Sequence, residues 1–168
     1  VVLSASPDPN NKLYQWYGTD NDSSKSLTNT VTMTGNKTVQ AEFRVIPLYK
    51  LKTEVIGGHG TLDPLYKRGE YFREGTVITL TATPEENYIV DTWTGIDDPN
   101  SWAKTNIVTM NSDKVVTIMF RKPRTVTVPG EFDTISEAIE SVYKHGDKVI
   151  VGAGTYGTIN FNGKAVTV

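Results

Sequence analysis

Cysteine is absent from the 168 residues, which removes disulfides, thiolate nucleophiles and any Cys-based metal site. Histidine is nearly absent too: only His59 and His145 occur, far apart in sequence. A His pair for metal binding or proton relay is therefore not available. Charge of one sign is also missing, with 17 Lys+Arg against 19 Asp+Glu and a net charge of −2. That balance excludes the basic footprint of a nucleic-acid binder. No apolar stretch approaches the roughly 18 residues of a membrane-crossing helix. No basic stretch followed by an apolar one opens the chain as a leader would. Val1–Val2–Leu3 and Ala165–Val166–Thr167–Val168 both read as strands, so both ends are expected to be cut from something longer. Hydrophobic residues at 38% and charged residues at 21% suffice for one ordinary domain or two small ones.

What is present is a repeat. Shifted by 77 residues, segment 1–44 falls on 78–121 without a gap, and 17 of the 44 pairs are identical. Unrelated sequences of average composition would share only roughly 6%. Leu3, Ala5 and Pro7 match Leu80, Ala82 and Pro84; Trp16 and Gly18 match Trp93 and Gly95. Asn29, Val31, Thr32 and Met33 match Asn106, Val108, Thr109 and Met110. Lys37, Val39, Phe43 and Arg44 match Lys114, Val116, Phe120 and Arg121.

Within a repeat the apolar residues alternate with period two. Val77, Thr79, Thr81 and Thr83 interleave with Ile78, Leu80 and Ala82, and Val116, Ile118 and Phe120 interleave with Thr117, Met119 and Arg121. Thr and Val on alternating faces suit a half-buried pleated surface. Turn residues at Gly57–Gly58, Gly69–Glu70, Pro84 to Asn87, Gly95 to Asn100 and Asn111 to Asp113 separate these runs. The pattern predicts strands near 49–56, 62–67, 76–83, 87–94, 105–110 and 114–121. Residues 1–122 are expected to be all-β and antiparallel, with short hairpins.

One ordered set of residues carries a family resemblance. It runs Gly58–His59–Gly60, Pro64, Tyr66, Gly69, Val77 to Pro84, Tyr88, Trp93–Thr94–Gly95, Thr109–Met110, Asp113–Lys114 and Val116 to Phe120. That order resembles the divergent InlB B-repeat family. The resemblance implies one complete module over 48–122 and the C-terminal part of an earlier module over 1–45. It also implies a prokaryotic extracellular or cell-surface setting and a spacer or binding role without catalysis.

After Lys122–Pro123–Arg124 the pattern changes. Thr125 to Val128 reads as one strand and Pro129–Gly130 as a turn. Residues 134–145 read as the one helix. Thr134 with Glu137 forms a capping box, Ile135, Ala138, Ile139, Val142 and Tyr143 share a face, and Gly146 is placed to end it. The runs Asp147 to Val151 and Gly152 to Tyr156 come next, and short strands are expected after them at 158–161 and 165–168. The set Val128–Pro129–Gly130, Thr134–Ile135, Ala138–Ile139, Gly146–Asp147, Val149 to Val151 and Gly154–Thr155–Tyr156 resembles the opening of a right-handed parallel β-helix. That resemblance implies a helix plugging the solenoid end over 124–168. The fold class that results is all-β: tandem small antiparallel β-repeat modules, then one amphipathic capping helix and the first rungs of a parallel β-helix.

Candidate functional residues are few. Trp16 and Trp93 recur at one repeat position, as do Gly18 and Gly95 and Phe43 and Phe120; all six are read as structural, together with Ile135 and Ile139. Trp102 has Lys25 as its repeat partner, so the fold does not demand an aromatic there. With Asp97, Asp98 and Asn100 in the same polar loop it forms the candidate ligand contact. The paired loops Asp20–Asn21–Asp22 and Asp97–Asp98 have the oxygen chemistry Ca²⁺ takes, although the EF-hand spacing is absent. No other cofactor, no metal-ligand spacing and no catalytic residue is expected. His59 reads as a turn residue and His145 as a helix-end cation.

The expected function is a non-catalytic stalk, spacer or adhesive module of a multidomain surface protein. The alternatives are the presenting region of a β-helix polysaccharide lyase or hydrolase whose catalytic rungs lie further on, or a carbohydrate-binding module centred on Trp102. The expected partners are the rest of the parent chain and cell-wall or host glycans or other surface proteins, with no nucleic acid and no membrane span.

Overall fold

The computed structural model describes residues 1–142, 144–157 and 159. The chain forms two compact units, Val1–Leu48 and Tyr49–Val168. The first holds four strands: β1 (Val2–Ser4), β2 (Asn11–Tyr17), β3 (Thr28–Thr30) and β4 (Gln40–Val45). β1 pairs antiparallel with β3 and β2 antiparallel with β4.

The second unit opens with β5 (Leu48–Ile56), β6 (Gly60–Asp63) and β7 (Glu70–Arg73). Four further strands repeat the first unit: β8 (Val77–Pro84), β9 (Ile89–Thr94), β10 (Thr105–Thr109) and β11 (Lys114–Arg121). One sheet has the order β10-β8-β6 and the other β7-β5-β11-β9. Alternation sends every second side chain inward. Leu62, Leu80 and Val108 of the first sheet therefore meet Leu51, Trp93, Val116 and Ile118 of the second in one core.

The 77-residue repeat is exact at the level of pairing. Leu3 lies opposite Asn29 as Leu80 lies opposite Asn106, and Trp16 opposite Ala41 as Trp93 opposite Ile118. Even the irregularity recurs. The register of β2 and β4 skips Tyr14, and that of β9 and β11 skips its counterpart Asp91, so each strand carries a bulge at one repeat position.

Three details differ from the alternation-based expectation. β5 runs parallel to β11, because β6 to β10 intervene and bring the chain back to the same sheet in the same direction. The strand expected over 62–67 stops at Asp63, where Pro64 supplies no N–H for a ladder. Residues 64–69 instead turn against β5: Thr53 Oγ1 accepts the Tyr66 N–H at 2.6 Å and donates to the Pro64 carbonyl at 3.3 Å. The chain then re-enters the sheet as β7, which follows directly on a turn glycine and is too short for alternation to show.

The last segment comprises β12 (Thr125–Val128), α1 (Ile135–Ser141) and β13 (Lys148–Val151), with β12 and β13 parallel. Helix α1 lies between them in sequence. Ile135, Ala138 and Ile139 bury against Val126, Val128 and Val149 in a second, separate core. The Thr134 cap is present: its Oγ1 accepts the Glu137 N–H at 3.2 Å and donates to the Glu137 carboxylate at 2.8 Å. The helix is shorter than the 134–145 expected. Val142 is already extended, and Lys144 to Asp147 form a turn in which Gly146 has φ +84°. Tyr143 and the strands expected at 158–161 and 165–168 lie outside the described residues, Ile159 excepted.

Candidate functional site

Where the repeat sequence departs from itself, unit 2 builds a cluster. The bulge in β9 places Asp91 at the rim of the sheet. Arg121, at the end of β11, reaches it with Nε at 3.1 Å. The same guanidinium donates Nη1 to the Asp147 carboxylate at 2.6 Å and Nη2 to the His145 carbonyl oxygen. Lys144 Nζ closes the ring on Asp91 at 2.8 and 3.1 Å. Two cations thus meet two carboxylates, and the 144–147 turn is fastened to the β9–β11 edge.

Asp147 is the hub. It is buried and also accepts the backbone N–H groups of Arg124 at 2.9 Å and Lys144 at 3.3 Å. Burial pushes its carboxyl up, but the Arg124 N–H, the Arg121 guanidinium and the Lys144 N–H together hold it below its ordinary value. This network explains the early end of α1. A helix continued through residue 145 could not deliver the Lys144 N–H and the Asp147 carboxylate to each other and to Arg121.

Trp102 stacks on His145 with ring centroids 5.3 Å apart and planes 8° from parallel. It is 55% exposed. Below the pair lies a shallow hollow of about 180 Å³, walled by Asp91, Thr92, Arg121 and Lys144. The other residues of the Trp102 loop do not join it. The Asp97 carboxylate caps Thr109, accepting its hydroxyl at 2.6 Å and its N–H at 3.1 Å, with Lys114 at 3.4 Å. The Thr109 hydroxyl, with its N–H and Lys114, holds the Asp97 carboxyl below its usual range. Asp98 accepts the Asn100 N–H at 3.1 Å within its own turn.

Asp20 makes the same cap in unit 1, accepting the Thr32 N–H at 2.8 Å and its hydroxyl at 3.1 Å. Asp22 accepts the N–H of Gly18 and both the N–H and hydroxyl of Thr19. These paired acidic loops are thus tied to N–H and O–H donors of the sheet. Among the described residues no group of three His, Asp or Glu side chains converges as a metal site would require.

The recurring residues sit as follows. Trp16 and Trp93 are buried, and each donates its indole N–H at 2.9 Å to one equivalent carbonyl, Ser26 or Ala103. Gly18 and Gly95 have φ +73°, and a Cβ on either would strike the carbonyl oxygen of Thr38 or Val115. Ile135 and Ile139 are buried and Phe120 is 8% exposed, whereas Phe43 is 37% exposed. His59 stacks on Tyr88 at 4.1 Å beside Glu85.

Asp91, Arg121 and Lys144 were not legible as a site from motif spacing, since no motif joins them. A signal existed in the repeat itself. Positions 14/91 and 25/102 change from Tyr and Lys to Asp and Trp, while Arg44 and Arg121 stay the same. In unit 1 Arg44 lies over the Tyr14 ring at 3.1 Å and pairs with Glu42 at 2.7 Å. One arginine thus serves two different rims.

The model of the divergent InlB B-repeat domain matches residues 1–47 and 51–124. The chain belongs to that family. The two matched stretches are the two repeat copies described above, and the β12–α1–β13 segment lies beyond them. No curated protein and no solved structure matches the chain. Divergent InlB B-repeats are bacterial repeat domains of the surface and extracellular kind, typically without catalytic activity. The Asp91–Arg121 rim is thus the C-terminal edge of an InlB B-repeat, where its last strand hands over to a different fold.

Proposed function

We propose that this chain is a non-catalytic spacer and mounting module of a multidomain prokaryotic surface protein. Its InlB B-repeats set distance, and the second one anchors the 124–168 segment, which we read as the opening of a parallel β-helix. The parallel β12–β13 pair and the buried face of α1 support that reading of the segment. Among the described residues no helix is long and apolar enough to cross a membrane. The partners in this reading are the rest of the parent chain and surface glycans or proteins. A polysaccharide lyase or hydrolase further along the chain would be served by the same mounting role.

The observation that carries the proposal is the rim network. A flexible tether would not need a buried carboxylate shared by Arg121, Arg124 and Lys144, nor a Trp102–His145 stack across the junction. The test is Arg121→Met, which keeps the apolar stem and removes the charge. Amide exchange should rise over residues 144–151 while the β5 to β10 core keeps its protection. Unchanged exchange over 144–151 would sink the mounting role. A second reading, a sugar platform, draws on the exposure of Trp102 beside the hollow. It requires that Trp102→Ala abolish binding to a glycan array while the 144–151 turn stays protected.

A further inference from the structure

Strand β10 is an edge of its sheet, with β8 on one side only. Even-numbered positions along it bond inward: the Lys104 carbonyl accepts the Ala82 N–H at 2.7 Å, and Met110 donates to the Thr76 carbonyl at 2.9 Å. The backbone groups of Thr105, Ile107 and Thr109 therefore point out of the sheet. Such a row is a template for a further strand. Asp97 sits on it. Its N–H donates to the Ile107 carbonyl at 3.1 Å, and its carboxylate accepts the Thr109 N–H at 3.1 Å. A residue of a parallel partner strand opposite Val108 would make the same two bonds, with its carbonyl in the place of this carboxylate. Asp97 is a one-residue imitation of a strand.

The device occurs twice. In unit 1 Asp20 donates its N–H to the Thr30 carbonyl at 2.8 Å and accepts the Thr32 N–H at 2.8 Å, along the edge of β3. The loops that carry the two acids otherwise diverge. Between 19–27 and 96–104 only Asp20/Asp97 and Ser24/Ser101 are identical. Capping Thr109 would need the carboxylate alone; the added N–H bond to Ile107 is what closes the edge. What lies under this cover suits a second copy. β10 reads Thr-Asn-Ile-Val-Thr, without charge or proline, a composition prone to strand pairing. It is nearly the same in either direction. Two copies meeting antiparallel place Ile107 opposite Ile107 and Thr105 opposite Thr109. Ile107 is 46% exposed, so that pairing would also cover an apolar side chain. With Asp97 in place, two carboxylates would have to share the seam.

We propose that Asp97 and Asp20 are edge guards: autoinhibitory contacts that keep β10 and β3 from pairing with the same strand of a second copy of this chain. Ile96 holds the guard of unit 2 in place, since its side chain is buried in the core one residue before Asp97. The inference draws on the β10 and β3 edges and not on the Asp91–Arg121 rim, so it is independent of the mounting role.

The chain has no cysteine, so one introduced thiol reports the edge. Ile107→Cys alone should give little dimer with a short bis-maleimide cross-linker. Adding Asp97→Ala removes the carboxylate and leaves the N–H; adding Asp97→Pro removes both. Cross-linked dimer should rise several-fold in the Pro variant, less in the Ala variant, and in both with chain concentration. Asp97→Asn keeps an acceptor and should stay near the parent. Val115→Cys, exposed on the other sheet, should not respond to any of these changes. Amide exchange over β8 shows whether each variant keeps its fold. If the Asp97 variants do not fold, Thr30→Cys with and without Asp20→Ala puts the same question to β3. A folded Asp97→Pro, Ile107→Cys chain that cross-links no more than Ile107→Cys alone overturns the proposal, as does an unchanged Thr30→Cys yield in Asp20→Ala. So does ready cross-linking of Ile107→Cys with Asp97 intact, or an equal rise for Val115→Cys, which would place the association elsewhere.

Discussion

Trp93 combines the two demands of a core aromatic: its ring fills the space between the sheets and its N–H is satisfied by the Ala103 carbonyl at 2.9 Å. Trp93→Ala should cost roughly 3–5 kcal/mol, measured by denaturant unfolding of unit 2, through the cavity it leaves. A mutant that unfolds like the parent but loses glycan binding would reverse the structural assignment. Asp147 makes a different point. Its burial is tolerable only because a guanidinium and two N–H groups face it. Asp147→Ala leaves Arg121 with Asp91 as its remaining carboxylate partner and the part-buried N–H groups of Arg124 and Lys144 without their acceptor, at a cost of about 3 kcal/mol. Asp147→Asn keeps an acceptor and should lose about half as much, placing the effect in hydrogen bonding as well as charge. Equal losses for the two variants would mean that charge alone is at work.

At the scale of elements, two glycines separate clash from strain. Gly95 and Gly75 both have positive φ, +73° and +82°, but only Gly95 has backbone where a Cβ would go. Gly75→Ala should therefore cost about 1 kcal/mol and Gly95→Ala at least about 3 kcal/mol, the excess being the collision with Val115. Similar melting temperatures for the two would show that β11 gives way easily. The strands themselves were readable, because each of β8 to β11 buries one face and alternation reports burial. What alternation cannot report is the partner. The parallel β5–β11 pairing depends on residues more than 60 apart, and β7 carries one partly buried side chain in four. The end of α1 was hidden for the same reason. Lys144, His145 and Gly146 make a good helix terminus by local rules, yet Asp147 is claimed by Arg121 from another element.

For the molecule as a whole, the repeat was the most legible feature and also the best guide to chemistry. Identities between copies mark the fold: Asp20 and Asp97 cap Thr32 and Thr109 in the same way. Differences mark the junction, as at Tyr14/Asp91 and Lys25/Trp102. The shared caps have a consequence for acid stability. Hydrogen bonds from Thr32 hold Asp20 low and those from Thr109 hold Asp97 low, while Asp147 is low in unit 2 alone. A carboxyl depressed in the folded state stabilises above its unfolded pKa, near 4, and that contribution is lost as pH falls through the folded value. Both units should therefore weaken below about pH 4, unit 1 through Asp20, Asp22 and Glu42 and unit 2 through Asp97 and Asp147. Peptide-resolved amide exchange at pH 7 and pH 3, corrected for intrinsic rates, separates the units. In the Asp97→Asn, Asp147→Asn double variant the acid response of unit 2 should flatten while that of unit 1 stays as steep as before. A double variant whose unit 2 still loosens as steeply at pH 3 would place the acid-labile contacts elsewhere in the sheets.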